Sequence, residues 1–331
     1  MDFLLISERV TDDPIEFLMI DQIRRYTKVF ENAQPFLIVG GKVHNDRWHK
    51  TGFISEVPYF AVSRKGVAEF VSHFIYFAFL VLVGAHLIKR KPNIRFVTNP
   101  YGHYTLGTLA VVIARITGRK AVVRVASSVS EISARPQVQF KFAYPMLARL
   151  EQFAFDHADA IVRISKMPLE PKYDRKTFYI PNLIEKPYGS ISRRFRAANS
   201  VLFVGRLEPE KGPGVLIDAA GILLERRRKI EVTIVGEGRL ETKLRTDLEG
   251  KGLSGHVIME GFVARSRILN MMRRATLLVV PSISEYAPNV VVEAAFNGLP
   301  VVATLSGGVE YMIQNRRTGI LVSPKNPHAL A

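Results

Sequence analysis

The sequence predicts an α/β chain made of two successive units, each a parallel sheet with helices packed on it. Short apolar runs alternate with stretches of helical spacing along nearly the whole chain, the pattern of repeated strand–helix–strand units. The alternation lapses once, across the polar and basic stretch Glu185–Asn199 (EKPYGSISRRFRAAN), and then restarts. A linker at 185–199 is therefore expected between units at 1–184 and 200–331. With 331 residues, each unit has enough chain for its own core.

In the first half, Phe3–Ile6 reads as a buried strand, Pro14–Glu31 as a helix, and Pro35–Val39 as a strand closed by Gly40-Gly41. Val67–Ile88 is the most apolar segment, and its continuous core, Phe74–Ala85, is 12 residues long between His73 and His86. A membrane span needs about 20 apolar residues. Three readings of this segment are open: a helix buried on a sheet, a helix at a membrane interface beside Lys89-Arg90-Lys91, and a true span. Phe96–Thr98, Ala121–Val125 and Ala160–Ile164 read as strands, with helices at Leu106–Ile116 and Phe140–Phe155 between them. In such sheets ligands bind beyond the carboxyl ends of the strands. The loops from Ser7, Asn99, Ala126 and Ser165 are therefore candidate site loops.

In the second half, strands are expected at Ser200–Val204, Val232–Val235, Val257–Met259, Leu277–Val280, Leu299–Ala303 and Gly319–Val322. Helices are expected at Pro213–Arg227, Leu240–Leu248 and Ser266–Arg274, and a further helix opens near Pro288. The stretch Ser284–Thr304 (SEYAPNVVVEAAFNGLPVVAT) holds Glu285 in a loop and Glu293 inside that helix, which Asn297-Gly298 ends. With Pro288 at the first helical position, Ala287 is a poor N-cap, so the first backbone N–H groups are offered to an anion. A phosphate flanked by two hydroxyl-accepting carboxylates suits this arrangement.

The chain carries 46 Lys and Arg against 30 Asp and Glu, a net +16. Residues 51–150 hold 13 basic and 3 acidic side chains, 13 − 3 = +10, around the most apolar segment. Positive charge in that setting favours an anionic lipid surface or anionic substrates. No nucleic-acid-binding module is recognisable, so nucleic acid is not an expected partner. Cysteine is absent, which excludes disulfides and thiolate metal sites. The N-terminus shows no basic stretch followed by an apolar one, so no secretory signal is expected; the expected location is cytoplasmic, on the inner membrane face.

Three segments go beyond generic α/β patterning. Val204-Gly205-Arg206-Leu207-Glu208-Pro209-Glu210-Lys211-Gly212 ends a strand and opens a helix; Val235-Gly236-Glu237-Gly238 ends the next strand; Glu285–Glu293 follows, with Ser306-Gly307-Gly308 after it. In this order and spacing, the second half resembles the nucleotide-sugar domain of GT-B fold retaining glycosyltransferases, most closely those of family 4. The resemblance implies two Rossmann-like domains facing across a cleft. It assigns Arg206 and Lys211 to the donor diphosphate, with Gly205 admitting the backbone close to it. Glu285 would accept hydroxyls of the transferred sugar and Glu293 those of the ribose. Ala287, Pro288, Asn289 and Val290 would line the sugar and phosphates, while Glu237 and Gly261-Phe262-Val263 would approach ribose and base. Arg206, Lys211 and Glu285 would be the catalytic side chains, acting without a metal or other cofactor.

The first half is less similar to the acceptor domain of that family. Leu147–Ser165 and Ile180-Pro181-Asn182 match its last helix, strand and hinge entry. The loop Ser7–Pro14 lacks the glycines common there, and Ala126-Ser127-Ser128 stands where many relatives have a histidine; His103 is the candidate substitute. Relatives also continue into a helix that crosses back to the first domain, so a partial chain is expected. The reading is a transferase moving a sugar from a UDP- or GDP-type donor to a glycan or lipid-linked acceptor in cell-surface polysaccharide or glycolipid synthesis. Region 64–95 would dock peripherally on the inner membrane face. The alternative is a non-catalytic nucleotide-sugar-binding partner subunit; an epimerase of the same fold is disfavoured by the second-half motifs.

Overall fold

The computed structural model describes residues 2–7, 35–40, 54–57, 80–99, 105–125, 144–167, 169–182, 184 and 198–331. The expected helix at Pro14–Glu31, the loop from Ser7, the apolar residues 58–79, His103, Ala126-Ser127-Ser128 and most of the 185–199 stretch lie outside the described residues. The chain divides into two compact units, Met1–Ile164 with Pro168–Leu183, and Ser165–Met167 with Ile184–Ala331.

The first unit holds a seven-stranded sheet in the order β3-β2-β1-β4-β5-β6-β7. Its strands are β1 (Asp2–Ser7), β2 (Pro35–Gly40), β3 (Ile54–Val57), β4 (Ile94–Thr98), β5 (Lys120–Val125), β6 (Ala160–Arg163) and β7 (Thr177–Tyr179). Every pairing is parallel. The edge strands β3 (ISEV) and β7 (TFY) were not expected from the sequence, since neither carries a continuous apolar run. Helix α1 covers 80–90, α2 is Leu106–Thr117 and α3 is Tyr144–His157. In α2 the buried Leu106, Leu109, Ala110 and Ile113 recur at helical spacing, which is why the segment coils and which face it buries. Helix α1 buries Leu80, Gly84 and Ile88 on one stripe while Leu82 is 69% exposed. A methyl group at Gly84 would lie 2.6 Å from Ile113 Cδ1, so α1 crosses α2 in direct contact. The described end of the apolar segment is thus an amphipathic helix packed on its neighbour. Among the described residues, no helix is long and apolar enough to cross a membrane.

The second unit holds a six-stranded parallel sheet in the order β10-β9-β8-β11-β12-β13. The strands are β8 (Ser200–Val204), β9 (Glu231–Val235), β10 (Val257–Gly261), β11 (Leu277–Val280), β12 (Val301–Thr304) and β13 (Ile320–Val322). Between them run α4 (Pro213–Glu225), α5 (Glu241–Gly250), α6 (Arg265–Arg274) and α7 (Asn289–Phe296), and α8 (Pro327–Leu330) closes the described chain. Along β8, Val201 and Phe203 enter one core and Leu202 the other. The strand period of two serves two covered faces, which is why β8 reads as an unbroken apolar run. From β8 the chain winds outward to β9 and β10, then returns to β11 on the other side. The topological switch therefore lies between β8 and β11, and the loops leaving these strands flank it.

In the first unit, Asp159 joins the starts of β5 and β6. Its carboxylate takes the Ala121 N–H at 2.9 Å and Lys120 Nζ at 2.8 Å, and its own N–H donates to the Ala121 carbonyl at 2.9 Å. Burial pushes the Asp159 carboxyl up, but the Lys120 and Ala121 hydrogen bonds, with the charges of Lys120 and Arg115, outweigh it and hold the group below its ordinary value. A carboxyl depressed on folding adds stability that is complete above its unfolded pKa and disappears as pH falls through its folded value. Asp159→Asn should therefore lower stability near neutrality by about 1 kcal/mol or less, the side chain being partly exposed. Melting curves of both proteins should keep a constant gap above about pH 5 and converge as pH falls through the carboxyl's folded value, below 3.8; a gap that persists there would contradict this origin.

Candidate functional site

Two loops at the switch point carry the expected residues. The first leaves β8 at Gly205 and turns through a short 3-10 segment, Pro209–Lys211, into α4. Gly212 links them in the left-handed region, φ 65°, where a side chain is strained. The second loop runs from Pro281 to α7. A methyl group on Gly212 would lie 2.1 Å from the Pro281 carbonyl oxygen, so the loops touch backbone to backbone. The Glu210 carbonyl accepts the Ile283 N–H at 2.7 Å and fastens them further.

This contact brings Lys211 and Glu285 together. Lys211 Nζ lies 2.5 Å from Glu285 Oε1, with the side chains 22% and 10% exposed. The Ser282 hydroxyl donates to the same oxygen at 3.0 Å. Arg206 does not share that carboxylate: its Nη2 meets Glu210 Oε1 at 2.9 Å and the side chain is exposed. The two cations expected to converge thus stand in one loop but engage different carboxylates.

The start of α7 corrects one sequence expectation. Pro288 is the N-cap, with extended backbone (φ −68°, ψ 114°), and Asn289 is the first helical residue. The Pro288 carbonyl accepts the Val291 N–H at 3.1 Å, which closes the first turn one residue later than expected. No side chain caps the helix, as expected for a proline N-cap, which has no hydrogen-bonding side chain. The Gly212 start of α4 likewise has no side-chain cap. Both helices present their positive ends at the same edge of the sheet. Ala287 precedes the N-cap, and Val290 lies in the first turn.

Glu293 lies within α7 and pairs with Arg265 Nη2 at 3.1 Å. Arg265 is the first residue of α6 and was not singled out in the sequence; its place just after β10, at the carboxyl edge, was the available signal. Glu237 joins the neighbouring loops. Its carbonyl takes the Leu207 N–H at 2.8 Å, and its carboxylate receives the Phe262 N–H at 3.4 Å. Gly205 donates its N–H to the Val235 carbonyl at 3.0 Å. Glu237 is thus on the same edge but belongs to the β9–β10 side rather than to the Lys211–Glu285 pair. Among the described residues, no group of three or more His, Asp and Glu side chains is placed to hold a metal.

Residues 191–331 match the family model for group 1 glycosyl transferases. The D-inositol 3-phosphate glycosyltransferase of Paenarthrobacter aurescens is 40% identical over 131 residues, 38% of this chain and 32% of that protein. The chain thus spans about a third of the length of the curated relatives it matches. Among solved structures, Anabaena HepE in complex with UDP superposes with a TM-score of 0.68 at 16% identity, over 100% of this chain and 88% of that one. The lipopolysaccharide outer core galactosyltransferase WaaB gives 0.71 at 16% identity, over 99% and 87%.

The Gly212 contact is testable. Gly212→Ala should cost about 2 kcal/mol or more, combining left-handed strain with the clash against Pro281. Gly214→Ala, with open space around its Cβ position, should be neutral or stabilising by up to about 1 kcal/mol. Chemical denaturation of both variants checks the contrast, and equal stabilities would count against the contact.

Residues 191–331 thus match the family model for group 1 glycosyl transferases, in a chain with the α/β fold of the GT-B glycosyltransferases.

Proposed function

We propose that this protein is a retaining, family 4 type glycosyltransferase that moves a hexose from a UDP- or GDP-sugar to a glycan or lipid-linked acceptor. The observation that carries the reading is the Lys211–Glu285 pair between two helix starts without side-chain caps at the switch point. Departure of a nucleoside diphosphate builds negative charge on its phosphate oxygens. A lysine and an arginine from one loop, turning from their carboxylate partners, together with backbone N–H groups at the helix starts, would stabilise that charge. Lys211 supplies a compact charge and Arg206 a planar fork, so the cations serve in place of a metal. Glu285 takes hydroxyls of the transferred sugar and Glu293 those of the ribose. HepE is described with UDP bound, which supports a uridine donor.

The first unit takes the acceptor in this proposal. Its charge excess beside the apolar segment, with Lys89 and Arg90 exposed at the end of α1, supports peripheral docking of region 64–95 on an anionic membrane face. Such a setting suits a lipid-linked acceptor for polysaccharide or glycolipid synthesis.

A thermal-shift panel of UDP, GDP, ADP and their sugars tests the donor assignment. A ligand at one hundred times its dissociation constant adds about 2.7 kcal/mol of stability, an easily read shift. Lys211→Ala should lower kcat/KM for transfer by about 10²- to 10³-fold, the usual loss when one charge-stabilising donor is removed. Arg206→Ala should reduce transfer while leaving stability within about 0.5 kcal/mol, since its pair with Glu210 is exposed. No shift with any nucleotide, or full transfer by Lys211→Ala, contradicts the proposal.

A further inference from the structure

Ser282 is buried in the middle of the site, yet the diphosphate and sugar assignments leave it without a part. It is 1% exposed, and its hydroxyl donates to Glu285 Oε1 at 3.0 Å, the oxygen that Lys211 Nζ also meets at 2.5 Å. No hydrogen bond or ion pair among the described residues engages Oε2 of Glu285. The surrounding backbone is fixed on both sides. Gly308 N–H donates to the Glu285 carbonyl at 2.8 Å, the Thr304 hydroxyl donates to the Ser282 carbonyl, and Ile283 N–H is held by Glu210. A methyl on Gly308 would fall 1.5 Å from the Tyr286 carbonyl oxygen, so the 285–286 backbone rests directly on that glycine. With the backbone held, the rotation of the Glu285 carboxylate is the freedom left to control.

We infer that Ser282 is a positioning residue that pins Oε1 of Glu285 and thereby presents Oε2 to a hydroxyl of the sugar being transferred. The inference rests on the donor-site reading proposed above. Its physical reason is division of labour. Lys211 is asked to answer phosphate charge, and whenever its ammonium turns to the diphosphate its hold on Oε1 weakens. A neutral hydroxyl does not compete for phosphate as a cation does, so Ser282 keeps the carboxylate aligned through that exchange. A hydrogen bond to a charged group is strong enough for its loss to be read in kinetics.

The test uses the full chain and the variants Ser282→Ala, Ser282→Thr, Glu285→Gln and the Ser282→Ala/Glu285→Gln double mutant. Binding of UDP alone is measured by calorimetry, and KM and kcat are measured with UDP-glucose; GDP and GDP-mannose are run in parallel. Ser282→Ala should bind the nucleotide within about twofold of the parent and lose about tenfold in kcat/KM for the sugar nucleotide. Ser282→Thr, which keeps the hydroxyl, should recover most of that loss. In the Glu285→Gln background, Ser282→Ala should add less than about twofold, because both act through one carboxylate. An equal loss in nucleotide and sugar-nucleotide recognition, or a full additional loss in the double mutant, would overturn the inference. So would parent-like Ser282→Ala beside an impaired Glu285→Gln. Parent-like Glu285→Gln would instead overturn the donor-site reading itself.

Discussion

The carbonyl of Pro281 sits where any side chain on Gly212 would have to be. That single backbone contact joins the loop leaving β8 to the loop leaving β11, and most of the site's geometry follows from it. Lys211 is the neighbour of Gly212, and Glu285 is four residues beyond Pro281. Closing the loops on each other therefore places an ammonium against a carboxylate across 74 positions of chain. The parallel sheet makes the contact possible, because its strand order reverses between β8 and β11 and separates their connecting helices.

Charge at this edge is arranged in local pairs rather than as one uniform field. Lys211 faces Glu285, Arg206 faces Glu210, Arg239 faces Glu208 and Arg265 faces Glu293. Glu285, Glu208 and Glu293 are each paired with a cation from a different loop or helix, whereas Arg206 and Glu210 share one loop. The exposed pairs contribute little to stability. The Lys211–Glu285 pair is less exposed, so water screens it less and its orientation is better defined. Two helix starts without side-chain caps add partial positive charge at the same edge. In the proposed donor site, a diphosphate would draw on these cations, and the two carboxylates would serve as hydroxyl acceptors. The arrangement favours a ligand that is anionic at one end and rich in hydroxyl groups at the other.

Much of this was legible in the sequence because it is written in short-range signals. The apolar runs of β8, β9 and β11 and the Asn297-Gly298 end of α7 lie within a residue or two of where they were expected. Glu285 and Glu293 stood out through their spacing, and Lys211 through its place before a glycine at a helix start. Other features are set by contacts distant in sequence and carry no local period. Arg265 becomes notable only because α6 begins beside α7, and Ser282 only because Glu285 turns back over it. The edge strands β3 (ISEV) and β7 (TFY) were missed for a different reason: unlike the equally short β11 (LLVV), they carry no continuous apolar run. Pro288 shows how local chemistry can be read one position out. Proline suits both the N-cap and the first helical position in having no N–H to satisfy, and its extended ψ angle decides between them.

The most direct measurement of the central claim is a crystal structure of the protein with UDP and with GDP bound. The diphosphate should lie between Lys211 and the first turn of α7, with oxygens within hydrogen-bonding distance of Lys211 Nζ and of backbone N–H groups near Asn289. A nucleotide bound elsewhere, with the Lys211–Glu285 pair untouched and remote from its phosphates, would contradict the account.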